Sequence, residues 1–391
     1  MQLEFRGLTE QRPGTAWRAV FDHGWPGWRE WFLAKGGRQG PRLDEARRAL
    51  RRHMPEFESL WDELVATVGG DEDAARFLSF WMPPRYLVSC SQLVLSDDSG
   101  PLLLRNYDLD PELNESTMLH SAWRGRRVMG MVEGLAGLAD GMNDAGLAAS
   151  LTFGGRTQSG RGFGIPLIIR YVLEMCRDVS DAREALRAVP CHMSYNVTVA
   201  DRTGDWATVF LAPDRPAILS DRPLATNHQL GVEWPRHGRE TRTQVRETHL
   251  ESMLAQPDRL TGAGATQSFL RAPLFSTNYD KGFGTVYTAA YRPATGEAML
   301  LWKDGEPLVW KIDDFHPARA NVAYSQCGSA VVGRWKDTPA SPQHKTGAQP
   351  AALAGFMAQL SACMAGQRDW ASLGKFWAPN SDSALPYGDV S

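Results

Sequence analysis

The feature that most narrows how this chain can fold is a change of texture at Pro83-Pro84. Proline lacks an N–H donor and pushes the residue before it out of helical geometry, so a helix does not run through an adjacent pair. Upstream, residues 1–85 read as helical, with an amphipathic stretch over 43–54 and tryptophans at Trp17, Trp25, Trp28, Trp31, Trp61 and Trp81. The tryptophans read as the core of a cap-like segment, with the wall of a pocket as the alternative. The run Arg47-Arg48 and Arg51-Arg52 reads as a solvated helix face rather than an anion site.

Downstream, strand formers alternate with polar turns. Residues 86–95 and 102–107 flank Ser96-Asp97-Asp98-Ser99-Gly100 and predict a hairpin. A second strand pair is expected at 127–131 and 147–153, joined by a glycine-rich connection. Helices are expected at 165–176 and, after a Ser180 cap, at 181–189. Two further hairpins span 195–211 around Asp201-Arg202-Thr203-Gly204 and 285–302 around Pro293-Ala294-Thr295-Gly296. Between them, 236–255 and 260–271 have helical spacing. Strands, a helical block and strands again, with mostly hairpin connections, predict an α+β fold of antiparallel sheets covered by helices. Residues 338–350 read as a linker and 351–377 return to helical spacing.

A formal net charge of -3 and a pI near 6.3 provide no broad basic field, so no nucleic-acid or membrane-surface partner is expected. The opening residues lack a signal-peptide pattern and the longest apolar runs are too short to cross a bilayer, which makes the cytoplasm the expected compartment. Five cysteines, Cys90, Cys176, Cys191, Cys327 and Cys363, stand far apart with no Cys-x-x-Cys pair, and no His-Glu-x-x-His occurs. No metal is expected. Gly160-x-Gly162-x-Gly164 lacks dinucleotide-fingerprint spacing, and there is neither a P-loop nor a Gly-x-Ser-x-Gly elbow, so no cofactor is expected either.

What remains is a set of polar residues set among apolar strands. Cys90 lies on the first strand of the 86–107 hairpin, and Arg105-Asn106-Tyr107-Asp108 ends its partner strand. A strand cysteine is commonly buried packing, and such an ending can be an ordinary hairpin exit. The alternative is a thiol whose reactive thiolate is favoured by a neighbouring guanidinium.

Ser89-Cys90-Ser91 followed by Leu104-Arg105-Asn106-Tyr107-Asp108 resembles the Cys-Thr and Arg-Asn-x-Asp signature of the penicillin V acylase and bile salt hydrolase group. It resembles equally the acyl-CoA:isopenicillin N acyltransferase group, the peptidase C45 family. The segments 139–147, Ala-Asp-Gly-Met-Asn-Asp-Ala-Gly-Leu, and 224–228, Leu-Ala-Thr-Asn-His, agree with it in order and spacing. A helical segment ahead of an internal cysteine favours the acyltransferase group.

The resemblance implies a four-layer αββα N-terminal-nucleophile hydrolase fold with two stacked antiparallel sheets. It also implies self-cleavage between Ser89 and Cys90, giving a released 1–89 subunit and a catalytic 90–391 subunit in an αβ heterodimer that can assemble into a higher homo-oligomer. The chemistry is simple: the Cys90 thiol attacks the Ser89 carbonyl, water opens the thioester, and the freed α-amino group, with a pKa of roughly 8, becomes the general base. By the same resemblance, Cys90 is the nucleophile, Arg105 lies against its thiol, Asp108 orients its amino group and Asn227 donates to the oxyanion. Asn143 reads as a turn residue.

There are departures. Ser89 stands for the usual Gly, and Ser91 for Thr. Thr152 replaces an oxyanion Asn and is expected to bind substrate through its backbone N–H. The late arginine falls on Arg271, with Lys281 the other candidate cation. The expected substrate is a small-molecule amide, a short-peptide amide or an acyl-CoA. Two alternatives stay open, an amidase of the penicillin V acylase or bile salt hydrolase type and an uncleaved, non-catalytic binding protein.

Overall fold

In the computed structural model, which describes residues 1–85 and 88–336, the chain opens on a strand, β1 (Gln2–Glu10). The helices α1 (Thr15–Ala34), α2 (Leu43–His53), α3 (Glu58–Thr67) and α4 (Glu72–Leu78) come after it. The helical reading of 1–85 therefore fails at its start. Buried Leu3 and Phe5 alternate with exposed Gln2 and Glu4, a two-residue period too brief to stand out in the sequence. The carboxylate of Glu10 accepts from the N–H groups of Gly14, Ala16 and Trp17 at 3.1, 2.8 and 2.8 Å and so caps α1. Trp17 is fully buried, and its indole N–H donates to the Leu135 carbonyl at 2.8 Å, tying the helical segment to the strands beyond it.

The later elements begin with β2 (Ser89–Asp97) and β3 (Gly100–Leu109), the expected hairpin. Next come β4 (Thr117–Ser121), β5 (Val128–Glu133), β6 (Gly137–Asn143), β7 (Leu147–Phe153), α5 (Ile165–Met175) and α6 (Val179–Ala188). Strands β8 (Tyr195–Asp201), β9 (Trp206–Ala212), β10 (Arg215–Ser220) and β11 (Leu224–Ala225) precede α7 (Pro235–Glu240), α8 (Thr243–Leu254) and α9 (Gly262–Phe269). The described chain closes with β12 (Thr277–Asn278), β13 (Phe283–Arg292), β14 (Glu297–Leu301), β15 (Leu308–Lys311), β16 (Ala318–Ser325) and β17 (Gly328–Lys336).

These strands form two sheets. One has ten strands in the order β10-β9-β8-β7-β6-β5-β4-β1-β16-β17, and the other runs β11-β2-β3-β13-β14-β15 with β12 beside β13. Every pairing is antiparallel except β1 on β4. Helices α5 and α6 pack on the ten-stranded sheet, α8 and α9 on the other. The strand alternation sorts side chains accordingly. Val88, Cys90, Val94, Leu103 and Tyr107 enter the core between the sheets, whereas Leu93, Leu95, Leu102 and Leu104 pack against Leu250 of α8 and Phe269 of α9. The architecture is thus the layered α+β arrangement anticipated, helices outside two stacked sheets.

Several local expectations differ from the structure. The glycine-rich connection between β5 and β7 is itself the strand β6, lying between them in the sheet. Its glycines answer to crowding: a Cβ on Gly137 would sit 2.4 Å from Pro166 at the start of α5, and one on Gly141 would sit 2.6 Å from the Met129 carbonyl. Helix α6 is capped by Asp178, whose carboxylate accepts from Asp181 N–H at 2.9 Å, and Ser180 lies inside it. The single helix expected over 236–255 is split because Arg242 adopts a left-handed φ of 52°. The expected linker at 338–350 and the helical tail at 351–377 lie outside the described residues. Among the described residues, no helix is long and apolar enough to cross a membrane.

The place of β1 inside the larger sheet has an energetic consequence. Phe5 is fully buried and meets Trp302 and Tyr287 edge-on at 4.9 and 6.2 Å. Replacing Phe5 with Ala is expected to destabilise the protein by about 3–5 kcal/mol, through lost transfer energy and the cavity left behind. Equilibrium urea unfolding checks this as a lower midpoint with an unchanged slope.

Candidate active site

The site is built by the register of one hairpin. β2 and β3 pair Ser89 with Asp108, Cys90 with Tyr107 and Gln92 with Arg105. Because side chains alternate, Cys90, Arg105 and Tyr107 face the other sheet, while Ser89, Ser91, Asn106 and Asp108 face the α8–α9 layer. The Ser89–Cys90 peptide bond therefore has a thiol on one side of the strand and a hydroxyl on the other.

On the inner side, Arg105 donates from Nη2 to Cys90 Sγ at 3.3 Å and from Nε to the Leu151 carbonyl at 3.0 Å. Its Nη1 reaches the carboxylate of Asp140 on β6 and the Tyr287 hydroxyl. Tyr287 and Tyr291 donate to the two oxygens of that carboxylate. The ring of Tyr107 lies 4.2 Å from the guanidinium carbon, and its hydroxyl donates to Glu133 at 2.8 Å. Arg105 and Asp140 are both fully buried. An ion pair so placed holds only when its remaining donors and acceptors are satisfied, and the two tyrosines and the Leu151 carbonyl do that. Burial opposes charge on Arg105, but Cys90, Tyr287 and Asp140 more than offset it and hold the guanidinium charged. Burial likewise pushes the Cys90 thiol up to about 11, a rise that Arg105 opposes. Cys90 is therefore held as a thiol.

On the outer side stands an arginine that the sequence reading missed. Arg246 of α8 is buried, and its N–H groups reach the carbonyls of Cys90 and Thr241 and the side-chain oxygens of Ser89, Ser91 and Asn227. All of these acceptors are neutral, so its charge is directed at the Ser89–Cys90 bond without a carboxylate in contact. Burial lowers its pKa, partly offset by the more distant Asp108. Asn227, just beyond β11, accepts the Cys90 N–H at 3.2 Å through Oδ1 and donates from Nδ2 to the Phe153 carbonyl at 3.2 Å. Asp108 accepts from Thr285 at 2.7 Å, and burial raises its carboxyl to about 6 against the pull of Arg246.

Cys90, Arg105, Asp108 and Asn227 thus come together around one peptide bond. The remaining candidates do not join them. Thr152 donates to the Thr226 carbonyl at 2.9 Å and accepts from Asn196 at 3.0 Å, so its hydroxyl braces the segment that carries Asn227. Arg271 and Lys281 are exposed, whereas Arg246 is buried beside Cys90. The signal for it was in α8, where Thr243, Arg246 and Leu250 form the buried stripe and put a guanidinium where an apolar residue belongs. Asn143 bonds the carbonyls of Leu173 and Cys176 and the Leu147 N–H, a structural brace beyond the turn expected of it. Among the described residues, no cluster of His, Cys, Asp or Glu is placed to hold a metal.

Residues 95–306, more than half of the chain, match the family model described as acyl-coenzyme A:6-aminopenicillanic acid acyl-transferase. The matched span includes Arg105, Asp108, Thr152, Asn227 and Arg246 and begins just after Cys90. Among solved structures, a mutant conjugated bile acid hydrolase from Clostridium perfringens aligns at 12% identity and a TM-score of 0.41, covering 66% of this chain and 100% of that one. Penicillin V acylase from Agrobacterium tumefaciens aligns at 13% identity and 0.36, covering 59% and 90%. The Caenorhabditis elegans ortholog of N-acylethanolamine-hydrolyzing acid amidase aligns at 14% and 0.38, covering 52% and 93%. No curated protein matches the sequence.

The burial of Cys90 is testable by alkylation. In the folded chain with the Ser89–Cys90 bond in place, at mildly alkaline pH, Cys90 is expected to react with iodoacetamide at least about a hundredfold more slowly than exposed Cys327, because a thiol raised to about 11 holds little thiolate and is shielded. Peptide mapping by mass spectrometry measures both rates.

Proposed function

The chain belongs to the acyl-coenzyme A:6-aminopenicillanic acid acyl-transferase family, and on that premise we propose that it cuts itself between Ser89 and Cys90 and then carries acyl groups on Cys90 as a thioester. The observation that carries this reading is the placement of that one bond between two arginines, Arg105 on the thiol and Arg246 on the Cys90 carbonyl and the Ser89 hydroxyl.

In the self-cleavage step, Cys90 Sγ attacks the Ser89 carbonyl carbon. The S–C bond forms, the C–N bond breaks, and the thiol proton ends on the Cys90 nitrogen. Water then opens the thioester, leaving Ser89 with a free carboxyl group and restoring the thiol. The buried guanidinium of Arg246 stabilises the negative charge that develops during this step. The new α-amino group, with a pKa of roughly 8, then takes the thiol proton for each later attack and returns it to the leaving amine. Asn227 Oδ1, which accepts the Cys90 N–H in the uncut chain, is in place to hold that amine, with Asp108 behind it. Arg105 favours the thiolate once solvent reaches the sulfur.

Cutting would not free the first subunit. β1 lies between β4 and β16, and Trp17 is buried against the strands, so residues 1–89 stay as half of an αβ heterodimer. An apolar recess, part of it open to solvent, runs between this segment and the catalytic part, lined by Trp28, Trp31, Phe77, Phe80, Met193 and Tyr195 among others. Glu133, which accepts from Tyr107 beside Cys90, is also in its wall. This lining suits an apolar acyl group. Deacylation by water makes the protein an amidase, and deacylation by an amine or a CoA thiol makes it an acyltransferase.

Intact mass of freshly purified protein tests the reading. Wild type is expected to give a fragment that begins at Cys90, and Cys90→Ala a single uncut chain; an uncut wild type after prolonged incubation would sink it. Asn227 faces Cys90 with its acceptor oxygen, while its N–H groups turn to the Phe153 carbonyl instead of taking the oxyanion role expected of them. Asn227→Ala is expected to slow the appearance of the fragment by about tenfold because the Cys90 N–H and the Ser89 hydroxyl lose their shared acceptor.

A further inference from the structure

Ser89 supplies the acyl side of the proposed cut, and its side chain sits among the groups proposed to make it. The residue is 2 % exposed. Its hydroxyl donates to Asn227 Oδ1 at 3.0 Å, accepts from Arg246 Nη2 at 3.2 Å and lies 3.5 Å from Asp108 Oδ2. Asn227 Oδ1 also accepts the Cys90 N–H. Two donors from opposite sides of the scissile bond, the Ser89 hydroxyl and the Cys90 N–H, thus converge on one oxygen.

The fold itself does not require this hydroxyl. Without it, Asn227 Oδ1 keeps the Cys90 N–H and Arg246, Arg246 keeps its other acceptors, and Asp108 keeps Thr285. The one partner lost without replacement is that of Asp108 Oδ2, whose 3.5 Å contact is the longest of the three, so an alanine at this position costs the core little. What the hydroxyl does constrain is rotation. Thiol and hydroxyl lie on opposite faces of β2, so anchoring the hydroxyl on the helix side fixes the plane of the Ser89 carbonyl, and with it the face that Cys90 Sγ meets. Alignment of attacking and attacked atoms is where such constraint changes a rate.

We propose that the Ser89 hydroxyl is a positioning group for self-cleavage, bridging Asn227, Arg246 and Asp108 so that the carbonyl carbon of Ser89 is held for attack by Cys90 Sγ. The inference rests on the reading that Ser89–Cys90 is the bond cut. The step is the balanced one given above: S–C forms, C–N breaks, the thiol proton passes to nitrogen, and water releases the Ser89 carboxyl.

The link to Asp108 adds a second readout. The groups that act on this carboxyl are Arg246 from α8, Thr285 from β13 and Ser89 from β2 on its own side, Arg105 from β3 and Cys90 from β2 across the sheet, and Tyr279 from the turn before β13. Burial raises it, and the Ser89 hydroxyl is among the contacts that lower it. Loss of the hydroxyl therefore moves its titration upward in pH.

The test compares purified uncut wild type, Ser89→Ala and Ser89→Thr. Each is first shown by thermal unfolding to be folded and then followed by intact mass from mildly acidic to mildly alkaline pH. Ser89→Ala is expected to form the Cys90 fragment about tenfold more slowly, the effect of one hydrogen bond to a charged group, with its acid limb displaced to higher pH. Ser89→Thr is expected to cut faster than Ser89→Ala. A folded Ser89→Ala that cuts at the wild-type rate with the wild-type pH profile overturns the inference alone. A wild type that never yields the fragment overturns it together with the self-cleavage reading.

Discussion

Everything at the site depends on the register of β2 against β3. Pairing Cys90 with Tyr107 places the thiol on the inter-sheet face, two residues along the ladder from Arg105. A slip of one residue would turn Ser89 and Ser91 inward and Cys90 out toward α8, and no rotamer change could recover the arrangement. The register is held by the apolar pattern on both faces. Leu93, Leu95, Leu102 and Leu104 must meet the helices, and Val88, Val94, Leu103 and Leu109 must enter the central core. The chemistry is positioned by hydrophobic sorting that has no chemical role of its own.

That sorting carries charge into places where it is costly. Arg105 and Asp140 lie wholly buried between two sheets, and the pair is tolerable because Tyr287, Tyr291 and the Leu151 carbonyl complete its hydrogen bonds. Arg246 is treated differently. Its acceptors are neutral oxygens clustered around the Ser89–Cys90 bond, which leaves a preorganised positive charge beside the bond that the proposed mechanism cuts. One buried arginine is compensated and one is left available, and both touch Cys90 or its backbone.

Sequence patterns exposed much of this and missed identifiable parts. The β2–β3 hairpin, the hairpins around Gly204 and Gly296 and the helices at 43–54 and 165–176 were legible because turn residues and apolar periods were both present and agreed. β6 was hidden because α5 and the neighbouring strand crowd its backbone, and the glycines that relieve the crowding look like a loop. β1 was hidden because its apolar alternation ends at Phe5, the next buried position being Gly7, with Leu8 out of phase. Within the site, Cys90, Arg105 and Asp108 sit on one hairpin, so their proximity follows from local pairing. Asn227 was found through resemblance, as the five-residue segment around it has no local reason to approach Cys90. Arg271, with Lys281 beside it, was chosen on order along the chain, which carries no information about which helix face is buried.

By itself the sequence determined the alternation that makes two layered antiparallel sheets, the break at Pro83-Pro84, and the meeting of a thiol, a guanidinium and a carboxyl across one hairpin. Those outcomes depend on residues close in sequence, where period and turn chemistry act directly. Tertiary structure alone decided that β1 would enter the larger sheet beside β4 and β16, that Asp140 would neutralise Arg105, and that Arg246 would reach the Ser89–Cys90 bond from α8. These contacts join segments far apart in the chain. Each exists because burying apolar faces brings distant backbone together, and only then do the buried charges find the partners that make their burial tolerable.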